Sequence, residues 1–376
     1  KYVKMLMDME PGHRDAVLMA AYQFVVDQKM KDNFFFQTPL LVDERTIGAA
    51  PTAVEELAPG SYLFTLSAPG RAFVRYPVLL RRGEELRPTV SLPPEALAPR
   101  DFVYVPAGRF LYGSADDEDL RSAFFTAPPM HEVETGAFWI ARHETTYGEW
   151  IAFLDSQEPE ERARRSGAQP GVSPSASILT RGEDGRWQLE VRRADRVLVA
   201  RAGELLRYPG RREREAQDWL KMPVAGITWE DARVYIEWLA RTGRVPNARF
   251  CTEVEWERAA RGADGRRFPT GDDIGPGEAN YDATYGRDPA AMGADVVGSY
   301  PASSSPFGVD DMTGNVWEWV VPAGDPSLRI ARGGSYLFSL VAGRLVNRTS
   351  LDASYRDGTL GLRVCASPQV GIVSDK

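Results

Sequence analysis

Apolar residues recur at helical spacing through Ala16-Val-Leu-Met-Ala-Ala-Tyr-Gln-Phe-Val-Val26, which predicts a helical segment over residues 1–33. From Phe34 to Pro94 the period drops to two. Pro39–Asp43, Ser61–Ser67, Val74–Leu80 and Leu86–Leu92 read as short strands, divided by turns at Ala58-Pro-Gly60, Ala68-Pro-Gly70 and Arg82-Gly83. A small all-β module over 34–94 follows, and the Pro-rich stretch around 95–100 reads as a linker.

Beyond residue 101 strand-like runs dominate, at Asp101–Ser114 and His131–Ile140, and three stretches turn helical. Each helix opens on a threonine with an acid in the first turn: Thr145 or Thr146 before Glu149, Thr228 before Glu230 and Asp231, and Thr252 at the third. Ala232, Tyr235, Ile236 and Leu239 form the apolar stripe of the second. Residues 155–220 read as an insertion with its own hairpin, Trp187–Val191 and Arg196–Arg201, flanked by solvated charge that includes Arg211-Arg-Glu-Arg214. The chain's centre of gravity is Asp311–Arg363, where Trp-rich and Gly-Gly segments end in Leu360-Gly-Leu-Arg-Val364. Residues 369–376 read as a tail.

The 376 residues suffice for two domains with cores of their own. A net charge of −8 makes a poor general partner for phosphate backbones, and the basic runs lack interleaved aromatics, so no nucleic-acid partner is expected. No apolar run reaches the roughly 18 residues a membrane helix needs. The chain opens on Lys1 rather than Met, so no leader is read from its start. Cys251 and Cys365 lie far apart in sequence and are expected to be free buried thiols.

Two resemblances emerge from these segments. Leu57-Ala-Pro-Gly-Ser-Tyr62 and Ser67-Ala-Pro-Gly70 resemble the PEGA family of small β modules. Val105-Pro-Ala-Gly, His143-Glu-Thr-Thr, Met222-Pro-Val, Trp229-Glu-Asp-Ala, Thr252–Gly262, Gly314-Asn-Val-Trp-Glu-Trp319, Arg332-Gly-Gly-Ser-Tyr336 and Gly361-Leu-Arg363 resemble, in order, the formylglycine-generating-enzyme or sulfatase-modifying-factor family. The resemblance spans 101–368. It implies an α+β, C-type-lectin-like formylglycine-generating-enzyme fold with much irregular structure, here preceded by the small all-β module. The pairing of the two is similar to the C-terminal regions of some bacterial Ser/Thr kinases, so a kinase domain on the same full-length chain is an expected partner. The chain itself carries no kinase motif.

The resemblance also implies copper chemistry on a cysteine pair shortly after Gly-Gly-Ser-Tyr. Here those positions hold Phe338 and Gly343, neither of which ligates metal, so no copper and no formylglycine-generating activity are expected. Iron-dependent sulfur oxidation in the family needs histidine ligands. His13, His131 and His143 have no suitable spacing, so no iron is expected, and His131 and His143 read as structural. A structural calcium is implied at Asp311, Gly314, Val316 and Glu318, with a second site at Asn280 and Asp288. The competing reading pairs Glu318 with a buried Arg332 or Arg363.

The remaining chemistry lies after Gly334. Tyr336, Phe338, Arg344, Asn347, Arg348, Tyr355 and Arg356 are of residue types that make binding hot spots, and Leu337, Leu340 and Val341 are expected in the core. The reading is a non-catalytic module that binds a protein or peptide ligand within a bacterial signalling protein, in its cytoplasmic or extracytoplasmic part. The alternatives are a diversity-generating-retroelement variable receptor and an oxidoreductase with an atypical site in the same pocket.

Overall fold

The computed structural model of the chain describes residues 57–166, 177–192, 196–322, 324, 325 and 327–369, together with strand segments 5–6, 18–24, 43–49 and 53–54. The N-terminal unit is a four-stranded antiparallel sheet. Its strands are β1 (Leu18–Phe24), β2 (Asp43–Ala49), β3 (Gly60–Ser67) and β4 (Val74–Leu80), in the order β2-β1-β3-β4. The helix expected over 1–33 is thus corrected where the chain is described. An apolar run with no polar face carries no phase to separate helix from central strand, and pairing to β2 and β3 settles it. Residues 25–42, including most of the expected strand at Pro39, and His13 lie outside the described residues. Leu86–Leu92 forms no strand, and Glu95–Leu97 in the expected linker is a 3₁₀ turn.

The remainder is built on two more four-stranded sheets. The first joins β5 (Phe102–Val105), β8 (Phe138–Ala141), β12 (Ala248–Phe250) and β17 (Val364–Ala366) in the order β12-β17-β8-β5. Between β5 and β8 lies the hairpin β6 (Gly108–Tyr112) and β7 (His131–Thr135). The second sheet has the order β15-β14-β13-β16, from β13 (Trp317–Val320), β14 (Ile330–Arg332), β15 (Arg348–Ser350) and β16 (Leu360–Leu362). One residue, Arg363, separates β16 from β17, so it is the hinge between the two sheets.

Helices α1 (Tyr147–Asp155), α3 (Trp229–Arg241) and α4 (Glu253–Arg261) each begin in a capping box, Thr146 with Glu149, Thr228 with Asp231, and Thr252 with Glu255. Their apolar faces, with Trp150, Trp219, Trp256 and Trp319 fully buried, make the core. The insertion contributes α2 (Pro159–Arg165) and a meander of β9 (Ser177–Arg181), β10 (Trp187–Arg192) and β11 (Val197–Arg201). Its Pro-rich stretch at 170–174 lies outside the described residues, as does 370–376 of the tail.

Cys251 and Cys365 are joined in a disulfide, which corrects the expectation of free thiols. They stand 114 positions apart in sequence, but β12 pairs with β17 and brings their Cα atoms to 4.9 Å, within disulfide reach.

Candidate functional site

The floor of the Asp311–Arg363 region is a buried polar lattice. Glu318 on β13 takes a forked ion pair from Arg363, Nη2 to Oε1 at 2.7 Å and Nε to Oε2 at 3.0 Å. Trp256 Nε1 on α4 donates to Glu318 Oε2 at 2.6 Å. The other faces of the guanidinium reach the carbonyls of Ala141, Arg142 and Asp310 at 3.0, 2.8 and 2.9 Å. Both side chains are essentially excluded from solvent. Arg332 pairs with Glu257 through Nη2 alone, and its Nη1 donates to the carbonyls of Val346 and Asn347. A buried charge is tolerated only when so fully paired.

This geometry revises the calcium set. The two carboxylate oxygens of Glu318 are committed to Arg363 and Trp256, so Glu318 is corrected from ligand to ion-pair partner, as the competing reading had it. Asp311 is buried with positive φ, and its Oδ2 accepts from the Gly298 N–H at 2.5 Å. Burial pushes its carboxyl up to about 6 despite that bond and the nearby Arg363. The carboxylate that sequence reasoning missed is Glu144. It is buried, neither oxygen has a hydrogen-bond donor, and burial and then the charge of Asp311 raise its carboxyl well above the usual range. Glu144 and Asp311 are therefore two buried carboxylates close enough for the charge of Asp311 to act on Glu144. Gly314, at positive φ, packs against the Asn280 carbonyl where a Cβ has no room, and Val316 is buried behind it.

At the second expected cation site Asn280 is buried, and its Oδ1, the atom that would ligate, has no hydrogen-bond partner. Asn280 Nδ2 donates to Gly293 O and to Asn315 Oδ1, at 2.9 and 3.1 Å. Asp288 is exposed. The carboxylate at this place is Asp295, and Arg211 of the insertion lies against it, Nη1 to Oδ1 at 2.7 Å with neither side chain exposed. Arg211 also donates to Ala291 O at 2.5 Å and Gly293 O at 2.8 Å, and its guanidinium is sandwiched by Tyr208 and Tyr285 at 3.7 and 3.9 Å. The solvated reading of the Arg211–Arg214 run is therefore corrected at Arg211, while Arg212 and Glu213 are exposed as expected.

The residues expected to face a ligand divide sharply. Tyr336 is buried, its hydroxyl donating to Gly358 O at 3.1 Å, and Asn347 is buried with Nδ2 on Ala342 O at 2.8 Å. Arg344, Arg348 and Arg356 are tied to Asp116, Glu253 and Asp231 at 2.9, 2.8 and 2.7 Å. Those five are corrected to structural or ion-paired roles. Phe338 and Tyr355 remain outside, each 44% exposed, and Leu337 at 44% and Val341 at 39% join them instead of entering the core. Leu340 is half-buried. Phe338 stands edge-on to Trp317 at 5.9 Å, which props it on the sheet. The outcome is an exposed apolar patch at Leu337, Phe338 and Val341, with an exposed Tyr355 further along the chain, over an arginine-stapled core.

The residues present do not fit copper: Phe338 and Gly343 carry no thiol, and the two cysteines are bonded to each other. His131 Nδ1 lies 2.8 Å from Pro129 O and His143 Nε2 3.1 Å from Asp310. Among the described residues no three His, Cys, Asp or Glu side chains converge as a metal cluster.

Two hinged sheets, few helices and long ordered loops on a buried ionic lattice define an α+β, C-type-lectin-like domain. The chain belongs to the sulfatase-modifying factor enzyme 1-like domain family, which matches residues 89–368. It is 28% identical to the serine/threonine-protein kinase pkn1 of Chlamydia caviae over 247 residues, 65% of this chain and 31% of that protein. It thus spans about a third of that kinase's length. Against the formylglycine-generating enzyme of Mycobacterium tuberculosis it is 30% identical over 254 residues, 61% of this chain and 76% of the enzyme. Against the inactive C-alpha-formylglycine-generating enzyme 2 of Bos taurus it is 28% identical over 252 residues, 63% of this chain and 76% of that protein. Relatives with and without the activity in their names stand at similar distance, so membership leaves catalysis to the residues.

Proposed function

We propose that this chain is a non-catalytic binding module of a bacterial signalling protein, and that it holds a protein or peptide segment on the rim formed by Leu337, Phe338, Val341 and Tyr355. The observation that carries the reading is the state of the thiols. The chain's two cysteines are locked together between β12 and β17, while Phe338 and Gly343 stand where the family resemblance implies a copper-binding cysteine pair. A thiolate, whether as nucleophile or as Cu(I) ligand, has no source here. The exposed Phe and Tyr, held by a rigid support, are suited to anchoring a partner's apolar side chain.

The likeness to the Chlamydia kinase supports placing a kinase domain on the same full-length chain, with this domain as its binding portion. The N-terminal sheet, PEGA-like in its turns, serves as a brace: Ser61 Oγ donates to Asp264 at 2.7 Å and Arg81 pairs with Glu132 at 2.7 Å. Glu144 and Asp311 hold a structural calcium whose role is to neutralise two buried carboxylates. The test of non-catalysis is incubation of copper-supplied protein with a cysteine-containing peptide and analysis of the peptide by mass spectrometry. Unchanged peptide is expected. Conversion of its cysteine to formylglycine would overturn the reading.

A further inference from the structure

A second feature lies close to the rim and is not apolar. A cleft of about 60 Å³ is lined by Arg261, Arg266, Arg267 and Arg344, with Ser114 and Asp116. Arg344 follows the rim directly, its N–H donating to Val341 O at 3.3 Å. The turn beside it is fixed by Leu345 N–H on Arg267 O at 3.0 Å. Four guanidinium groups thus face one lining carboxylate.

Most of these charges are partly used. Arg266 pairs with Asp264 at 2.7 Å, and Arg261 reaches Glu257 at 3.2 Å. Asp116 is held by Ser114 Oγ at 2.7 Å and Arg344 at 2.9 Å, and lies 3.6 Å from Arg267. Two donors are left over. Arg261 is fully buried, yet its Nε has no hydrogen-bond acceptor. Arg267 is 50% exposed, and its one carboxylate lies beyond hydrogen-bond distance. The exposed Arg267 guanidinium therefore has N–H groups available to an incoming oxyanion. Arginine forks match carboxylate and phosphate oxygens in particular.

We infer that this cleft is an anion-binding subsite that takes the carboxylate or phosphoryl group of the ligand whose apolar part rests on Leu337, Phe338 and Val341. The inference rests on the proposed rim and narrows its ligand to an acidic or phosphorylated segment, a mode other arginine clusters use. The cleft has room for about two waters, which one such group would displace. The anion competes with Asp116 for Arg267 and leaves the Arg344 pair in place.

The test uses inorganic phosphate and acetate as probes on the whole chain, by calorimetric titration at constant ionic strength. The proteins are wild type, Arg267→Glu and Phe338→Ser. Saturable binding of at least one anion is expected, weakened at least tenfold in Arg267→Glu and unchanged in Phe338→Ser. Tighter binding of phosphate identifies a phosphoryl group as the natural ligand, and equal or tighter binding of acetate identifies a carboxylate. Absence of saturable binding, or equal binding by Arg267→Glu, overturns the subsite while leaving the apolar rim to its own test. Arg267 is half in solvent, so its substitution does not disturb the core.

Discussion

Arg211 offers the sharpest test of how the insertion is fastened. Substitution Arg211→Met keeps an apolar stem between Tyr208 and Tyr285 but removes the guanidinium from Asp295, Ala291 O and Gly293 O. Asp295 then keeps neutral donors, Gln217 Nε2 at 2.9 Å, Tyr285 at 2.8 Å and Tyr300 at 2.5 Å, and the more distant charge of Arg214, but no ion pair in direct contact. Removing one partner of a buried pair costs about 3–5 kcal/mol, and the surviving donors place this case near 3 kcal/mol. At the sensitivity of larger domains that is about 6–12 °C of melting temperature. Asp295→Asn destabilises for the mirror-image reason. The double variant leaves neither charge exposed to a dry interior, so it should recover about 2 kcal/mol relative to the sum of the single effects. Urea unfolding of the four proteins closes the cycle. A loss below about 1 kcal/mol for Arg211→Met, or simple additivity, would refute the buried pair and the fastening it implies.

Three further outcomes follow from the same structure. Reduction of Cys251–Cys365, which closes a loop of 114 residues, should lower stability by about 5 kcal/mol, read from unfolding midpoints with and without reductant; an unchanged midpoint contradicts the cross-link. Burial raises the Asp264 carboxyl, but the charge of Arg266 and its hydrogen bonds outweigh this and hold it below its ordinary 3.8. Its stabilising effect is therefore complete above that value and lost as pH falls below it, so Asp264→Asn should flatten the acid limb of a pH–stability curve, and an unaltered limb would count against the brace. Calcium at one hundred times its Kd should stabilise the wild type by about 2.7 kcal/mol over chelator, and Glu144→Gln should abolish the increment. A melting temperature indifferent to calcium removes the cation from the account.

What could be read from sequence was local. The helix starts at Thr146, Thr228 and Thr252 are visible because a capping box is contained within four residues. The buried stripe Ala232, Tyr235, Ile236 and Leu239 is visible because its period matches one helix face. What misled was whatever depends on a distant partner. Arg211 lies in a run that looks solvated until Asp295, 84 positions away, is folded against it. Glu144 lies inside the His143-Glu-Thr-Thr motif, yet nothing nearby in sequence states that both its oxygens are buried without donors. Tyr336 and Asn347 have the residue types of a binding face and the burial of a scaffold, while Leu337 and Val341 show the reverse. Beyond Gly334, residue type and exposure are decoupled because a 3₁₀ turn at Leu340–Gly343 sets which side of the chain faces inward. Glu318 was partly legible: a pair with buried Arg332 or Arg363 was the competing reading, and the choice of Arg363 depends on its place just past β16, which runs parallel to β13.

The central claim is that the rim binds a ligand. Its most direct measurement is selection of a displayed peptide library against the wild-type chain, repeated against Phe338→Ser/Tyr355→Ser. Both side chains are 44% exposed, so the variant should keep the wild-type fold and melting temperature. The account predicts peptides enriched by the wild type and not by the variant. Equal enrichment by both proteins, or none by the wild type, would contradict it.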